Sequence, residues 1–439
     1  MRPSRAYTGG LMLNRIGGCA AYCIAAMIGL LAASGADAGQ SLSDWLGQGT
    51  PVVDMRARYE GVDDKSKALY ASAPTIRARL GFETAAWNGL SLAVDFDEVL
   101  ASDSAYNSTR NGKTAYPTIG DPAMTALNRL QLTYATDFDT KIVVGRQRLQ
   151  FGDQRFIGNS GWRQHEQTFD ALTLVNNSVE DLTLTYSYVE RVNRVFGPNN
   201  PMPATGPAGH FDSNSHLFNA VYSGVPGLKL EGYAYLLKLD QKGPAASVLA
   251  TSKLSTATYG VRAEYRATLS EGLTGQLNGA IAHQENFANN PLTIALDYRL
   301  AEGGLSYQGA TALVGYEAMG GNGTVGFSTP FASLHPFDGL ADMFLTTPVN
   351  GLDDFYLKAS YAVPGFLTLK SLSASLVYHS FTTDRGNVGI GNEWDALLEL
   401  AVDRNLSLLL GVADYRGAGI GLGGFKDKTV NWLQAAYKL

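Results

Sequence analysis

The stretch "VDMRARYE", residues 53–60, decides the fold. Val53, Met55, Ala57 and Tyr59 fall on one side of an extended chain; Asp54, Arg56, Arg58 and Glu60 fall on the other. A period of two belongs to a strand, because successive Cβ atoms point to opposite faces of a sheet. One face is apolar and the other is charged without a break. Such a strand separates an apolar surrounding from a wet one.

The same alternation recurs along the chain. Ile76, Ala78, Leu80 and Phe82 oppose Arg77, Arg79 and Glu83, and Leu90, Leu92, Val94 and Phe96 oppose Asp95 and Asp97. Val261, Ala263 and Tyr265 oppose Arg262, Glu264 and Arg266. It continues at 182–188, 294–300, 355–361, 394–402 and 406–412, and Leu433, Ala435, Tyr437 and Leu439 carry it to the last residue. Sustained helical periodicity is absent. Past residue 38 no apolar run approaches the ~18–20 residues that a membrane helix needs.

Counting the segments gives about 18 strands, and the connections between them alternate between two lengths, as in a transmembrane antiparallel β-barrel. Short turns are expected at 87–89, 137–139, 225–227, 270–272, 363–365 and 403–405, with slightly longer ones near 176–180 and 301–304. Longer loops are expected at 61–74, 100–126, 150–166, 191–214, 240–256, 286–291, 319–350, 382–391 and 415–425. A soluble sandwich has no reason to collect all its long loops at one end.

Energetics orients the wall. An Arg or Lys at the lipid midplane costs ~2–4 kcal/mol, so the strand arginines are expected to line an aqueous lumen. That assignment covers Arg56, Arg58, Arg77, Arg79, Arg129, Arg146, Arg148, Arg262, Arg266 and Arg299. Asp54, Asp95, Asp97, Glu264, Asp297, Glu393, Asp395 and Glu399 are expected there as acids. Arg146 and Arg148 share parity with Ile142 and Val144, so placing the pair inward admits two apolar residues to the lower lumen.

Composition bounds the function. The chain has 439 residues, net charge −6, 22 Tyr, 18 Phe and 17% charged residues. Residues 1–38 read as a cleaved signal: Arg2, Arg5 and Arg15, an apolar run from Cys19 to Ala33, then Ala36-Asp37-Ala38 before a cut at Gly39. Residues 39–439 then form one barrel in the bacterial outer membrane. Both cysteines lie in the signal, which excludes disulfides and thiolate metal sites from the mature chain. An acidic chain argues against nucleic acid as a partner.

One segment departs from the pattern. "GRQRLQFGDQRFIGNSGWRQHEQTFD", residues 145–170, holds Arg146, Arg148, Arg155 and Arg163 with Asp153 and Glu166 nearby. Its portion between strands carries Phe151, Phe156, Ile157 and Trp162, too apolar for a loop in water. It is expected to fold into the barrel mouth, bent at Gly152, Gly158 and Gly161. Arg155 and Arg163 would then join the strand arginines across a narrowed lumen.

This segment, with "FSTPFASLHPFDGLADMFLTTPVNGLDDFYL" at 327–357, resembles the alginate-export family of outer-membrane channels. "APTIRARLGFETAAWNGLSLAVDFDEV" and "LNRLQLTYATDF" are similar to it as well. The resemblance implies an 18-stranded barrel, narrowed by loops and lined by arginines that select anionic sugar chains. It implies lumen roles for Arg146 and Arg148, loop roles for Asp153, Arg155, Trp162 and Arg163, and a second inward constriction from 319–350.

Catalytic, cofactor and metal sites are not expected. The six histidines, 165, 210, 216, 283, 335 and 379, lack metal-ligand spacing. His379 shares a strand face with Ser373 and Ser375, without a nucleophile-elbow sequence. Three function classes remain: a diffusion channel for anionic or polar solutes, an exopolysaccharide secretion channel with periplasmic partners, and a surface receptor or adhesin. Expected partners are outer-membrane lipid and lipopolysaccharide, the barrel-assembly machinery, and an anionic or sugar-type solute. The oligomeric state is open.

Overall fold

A computed structural model describes residues 45, 47–101, 105–197, 208–240, 242, 245–419 and 425–439. The expected signal, 1–38, lies outside the described residues. The strands are β1 Thr50–Asp64, β2 Ala71–Glu83, β3 Leu90–Ala101, β4 Met124–Ala135, β5 Thr140–Gln147 and β6 Thr168–Val179. They continue as β7 Leu182–Asn193, β8 His210–Val225, β9 Leu228–Leu236, β10 Thr256–Ser270, β11 Leu273–Asn286 and β12 Ala295–Tyr307. The last are β13 Ala310–Met319, β14 Leu352–Pro364, β15 Ser371–Thr382, β16 Gly389–Ala401, β17 Leu406–Gly417 and β18 Lys428–Lys438.

Each strand pairs antiparallel with the next, and β18 pairs with β1 from Asp54↔Lys438 to Asp64↔Lys428, so the 18-stranded sheet closes. Closure leaves no sheet edge unpaired. One end of the barrel carries only tight connections, such as Asn88-Gly89, whose φ values of 47° and 79° suit a two-residue hairpin turn. The other end carries the long loops, up to residues 320–351. A short helix, α1 (Ala245–Ser252), sits in the loop between β9 and β10, where no helix was expected.

The alternation of the sequence reappears as outside and inside. Met55, Ile76, Leu80, Phe96, Val261, Leu277 and Leu433 are exposed on the outer wall, while Asp54, Arg58, Arg77, Arg79, Asp95 and Asp97 are buried within. The lumen is not empty. Residues 148–167 and 320–351 fold into it and meet: Ile157 and Phe331 form a bridge, and the Gly158 N–H donates to the Phe331 carbonyl at 2.8 Å. Their apolar side chains join inward-facing strand residues in two clusters, one around Tyr298, Phe327 and Phe381, the other around Phe169, Leu217 and Phe331.

Four sequence expectations are corrected by the register. No turn occurs at 301–304; β12 runs through it and turns at Gln308-Gly309, φ 45° and 87°. Gly303 and Gly304 imitate a turn signal, since paired glycines commonly mark turns, but here both pair within the sheet.

Arg299 and Asp297 lie on the outer wall, not in the lumen. They alternate with Tyr298 and Leu300, which are buried inside, and Arg299 is opposite the exposed Ile281. Arg146 is also displaced. It shares its face with Val144 and Leu172, opposite the face of Phe169 and Ala171 that packs on the inward loops. Both arginines stand near the long-loop ends of their strands. There the penalty for a charge falls to about 0–1 kcal/mol, and each has an acid: Asp170 bonds both Arg146 Nε and Nη2, at 2.7 and 2.9 Å, and Asp297 lies 3.8 Å from Arg299. The midplane penalty does not hold at that height.

Candidate functional site: the loop-filled lumen

The lumen wall from β1 to β4 is rich in arginine, and each side chain has an identifiable job. Arg56 aims Nη1 at the carbonyls of Gly161, Trp162 and Arg163, at 3.2, 3.0 and 3.2 Å. Arg58 donates to Gln434 Oε1 from Nε and Nη2, at 3.0 and 2.6 Å, while its guanidinium lies 4.3 Å from the Trp162 ring centroid. Arg77 pairs with Asp54 and reaches the Gln164 carbonyl at 3.4 Å. Arg79 pairs with Asp97 at 2.6 Å and with Glu166 at 2.9 Å.

A β-bulge supplies a further pair that sequence parity missed. The β3–β4 register slips between Asp95 and Phe96, leaving Asn128 as the extra residue. Asn128 and Arg129 therefore both reach Asp95, each at 2.7 Å, and Arg129 also binds Glu83.

Glu166 collects the loop onto this wall. Its carboxylate accepts from Asn128 and Arg148 at 2.6 Å each, from Asn159 at 2.7 Å, and pairs with Arg79. Burial pushes its pKa up, but Arg79 and Arg148 outweigh burial and hold it below the ordinary value. Arg148 follows the end of β5, so it belongs to the loop rather than to a strand.

The opposite wall is rich in acid. Arg155 crosses the lumen to it, donating to Glu317 on β13 at 2.6 Å and to Asp338 of the second inward loop at 2.7 Å. Burial acts to lower the Arg155 pKa, yet Asp338 and Glu317 raise it. His379 on β15 sits between Asp354 and Asp395, 2.8 and 3.5 Å away. Glu393 and Asp395 on β16 take the Ala341 and Leu340 backbone N–H groups, at 2.7 and 3.1 Å. Gly339 is required at that approach: its φ is 83°, and a Cβ would stand 2.6 Å from the Glu393 carboxyl.

Arg163 joins both loops to the wall, 3.2 Å from Glu60 and 2.7 Å from Asp342. Asp342 also bonds His335 at 2.8 Å. Burial acts to raise the Asp342 pKa, but His335, Arg163 and Lys428 hold it below the carboxylate range. His335 in turn stacks on Trp162, ring centroids 4.2 Å apart and 16° from parallel.

Of the residues anticipated from sequence, the inward-folded 150–166 loop brings Arg56, Arg58, Arg77, Arg79, Arg148, Asp153, Arg155, Arg163 and Arg262 into one network, with Arg262 paired to Asp153. Arg262 also lies 3.0 Å from Glu264. Arg129 is attached to the network through Asp95 and Asn128. Arg266 faces the lumen away from the loops, 3.3 Å from Gln276, and Glu399 meets Ser373 rather than an arginine. Arg146 and Arg299 are outside it. Sequence reading missed Asn128, Gln434, His335, Asp338 and Asp342. The last three stand in "HPFDGLAD", 335–342, where proline, glycine and acids in a long loop were the available signal.

Comparison with known proteins agrees with this architecture. Residues 53–185 match the model of the family described as alginate export, which bears out the resemblance read from the sequence. The 327–357 motif lies beyond the matched residues. No curated protein matches the chain. Among solved structures, OccAB2 of Acinetobacter baumannii is similar at 15% identity and TM-score 0.69, covering 90% of this chain and 99% of that one. Pseudomonas aeruginosa OpdK, solved with vanillate, is similar at 14% identity and TM-score 0.65, with the same coverage. P. aeruginosa OpdL is similar at 18% identity and TM-score 0.62, again covering 90% and 99%. The chain has the closed 18-stranded fold of outer-membrane porins.

Proposed function

We propose, from an alginate-export segment set in an outer-membrane channel fold, that the protein passes anionic or polar solutes through a lumen narrowed by its two inward loops. One observation carries the reading. The wall of β1 to β4 presents Arg56, Arg58, Arg77, Arg79 and Arg129 interleaved with Asp54, Glu60, Asp95 and Asp97, while β13 to β16 present Glu317, Asp354, Glu393 and Asp395. Arginines concentrated on one wall and absent from the acidic one facing it give a transverse field in the pore. Arg56 and Arg58 make no ion pair among the described residues; Arg56 is turned to loop carbonyls and Arg58 to Gln434. Arg stays charged at any relevant pH and matches carboxylates with its planar fork.

Reversal potentials in a salt gradient test this. Wild type should prefer chloride over potassium, most strongly at low salt where screening is weak. Arg56→Gln with Arg58→Gln should move the potential toward cation preference, while Arg299→Gln on the outer wall should not. Equal potentials for wild type and the double variant at low salt would sink the reading.

The family match supports a second reading, export of a uronate polymer. A polymer must displace the paired loops, so a disulfide between Ser160→Cys and Ser333→Cys should stop polymer transit while ion current persists. The Ser160 N–H donates to Ser333 Oγ at 2.8 Å, which brings these positions together. Without measurable uronate-oligomer transit in the unlocked protein, this second reading fails.

A further inference from the structure

Above the paired loops, at the long-loop end of the barrel, lies a cavity of about 670 Å³ with Trp162 and His335 in its lining. Most of its acids are already matched. Glu60 and Asp342 are held by Arg163, and Asp153 by Arg262. Asp64 accepts the Ser66 N–H at 2.8 Å. Three cations remain: Lys67, Arg194 and Lys428 line the cavity and form no ion pair among the described residues. Over the whole lining Lys67, Arg163, Arg194 and Lys428 stand against Glu60, Asp64, Asp153 and Asp342, so position and not net charge singles out a cation.

Arg194 stands apart from the two lysines. It follows the last residue of β7, and its guanidinium carbon lies 4.8 Å from the Phe196 ring centroid and 4.5 Å from that of Phe211. Nη1 donates to the Ala208 carbonyl at 3.0 Å. Among the described residues nothing bonds Nε or Nη2, and Arg194 lines the cavity. Burial pushes its pKa down to about 10, which still leaves it charged at neutral pH. A guanidinium packed in apolar surroundings without a counter-ion is unfavourable. The two aromatic faces offset only part of that, roughly 1–2 kcal/mol. An incoming carboxylate would supply the rest, because the open donors of a planar fork match its two oxygens.

The remainder of the lining describes the body of that ligand. Phe196, Pro330, Leu334, Leu345 and Leu397 are apolar. The volume falls in the ~300–1,000 Å³ range of small-molecule sites. It holds a compact molecule and not a length of polymer.

We infer that this cavity is a binding chamber for a small organic anion with an apolar or aromatic body, and that Arg194 receives its carboxylate. This rests on the anion-channel reading, which it deepens by naming the class of solute.

Titration calorimetry on the full-length, detergent-solubilised barrel tests the chamber, with benzoate, benzamide and trigalacturonate as probes. Benzoate should bind the wild type, and benzamide, which has the same shape but no charge, should bind at least about tenfold more weakly. Trigalacturonate should not compete for the chamber. Arg194→Gln should weaken benzoate by about tenfold or more, and Arg194→Lys should retain part of the affinity. Heat-modifiable gel mobility checks that each variant is a folded barrel. No benzoate binding by wild type, equal binding of benzamide, or unchanged benzoate affinity in folded Arg194→Gln would each overturn the inference. Calorimetry does not depend on ion preference. Chloride preference with an unaffected Arg194→Gln refutes the chamber alone, and loss of benzoate binding in a potassium-preferring pore refutes the channel reading alone.

Discussion

Replacing Arg155 with methionine removes a side chain that ties the first inward loop to the far wall. Arg155 is 2% exposed, bridges Glu317 and Asp338 at 2.6 and 2.7 Å, and covers the Phe337 ring at 4.8 Å. Breaking a buried ion pair by deleting one partner costs about 3–5 kcal/mol, because the other charge is left uncompensated. Here the lower figure applies, since a bereft carboxyl can take up a proton and shed its charge. About 3 kcal/mol is roughly a hundredfold shift in an equilibrium. The barrel's eighteen strand pairings do not involve Arg155, so the shift falls on loop docking.

Amide exchange reads that equilibrium. The Gly158 N–H donates to the Phe331 carbonyl and the Ser333 N–H to the Gln154 carbonyl, bonds that exist only while the loops are docked. Peptides covering 150–166 and 327–341 should exchange roughly a hundredfold faster in Arg155→Met, while β10 and β11 keep wild-type protection. Single-channel conductance should rise as the loops leave the lumen. Unchanged exchange in both peptides would show that the crossing arginine does not hold the loops.

Other consequences are smaller or opposite in sign. Trp162→Ala removes a ring sandwiched between Arg58 and His335, and should loosen docking by about 1–3 kcal/mol in the same exchange assay. Gly339→Ala places a Cβ against the Glu393 carboxyl at a φ of 83°, so 335–342 should lose protection and conductance should rise. Docked Asp342 and Glu166 hold pKa values below their ordinary 3.8 and 4.5, so their contribution is full above those values and is lost as pH falls beneath them. Docked Asp338 is shifted up by burial against the pull of Arg155, so its contribution is greatest at low pH and declines as pH rises through its docked value. Exchange corrected for intrinsic rates at pH about 5 and about 3 should therefore show 160–166 losing protection before the Asp338 turn does; simultaneous loss would contradict it.

The strands were legible because a barrel wall between lipid and water must alternate, and the middles of β1, β2 and β3 do so, over 54–60, 75–80 and 94–97. What resisted reading were departures from a period of two. The Asn128 bulge gives two consecutive inward side chains, and nothing in "ALNRLQL" marks it. Gly303-Gly304 imitates a turn because a missing side chain looks alike in a turn and in a strand. Arg146 and Arg299 were misplaced because depth along a strand is not encoded in parity: cost in lipid depends on height above the midplane, and each has an acid beside it. In the lumen, residue types were legible and partners were not, since Arg155 and Glu317 are 162 residues apart.

Those partners alter what the lumen charges can be for. The arginines of β1 and β2 address backbone carbonyls of one loop, at Gly161, Trp162, Arg163 and Gln164. The acids of β16 address backbone N–H groups of the other, at Leu340 and Ala341. A loop drawn out of water leaves unpaired backbone groups, each costing several kcal/mol if unmet; donors on one wall and acceptors on the other meet them. Both loops can therefore fill an apolar-cored plug without forming regular structure of their own. Charge committed in this way holds the constriction in place and is not free to bind a solute. Selection must then come from groups left over after the loops are docked. Arg194 lines the cavity and has no ion pair among the described residues, so the first contact of an anion falls above the plug rather than within it.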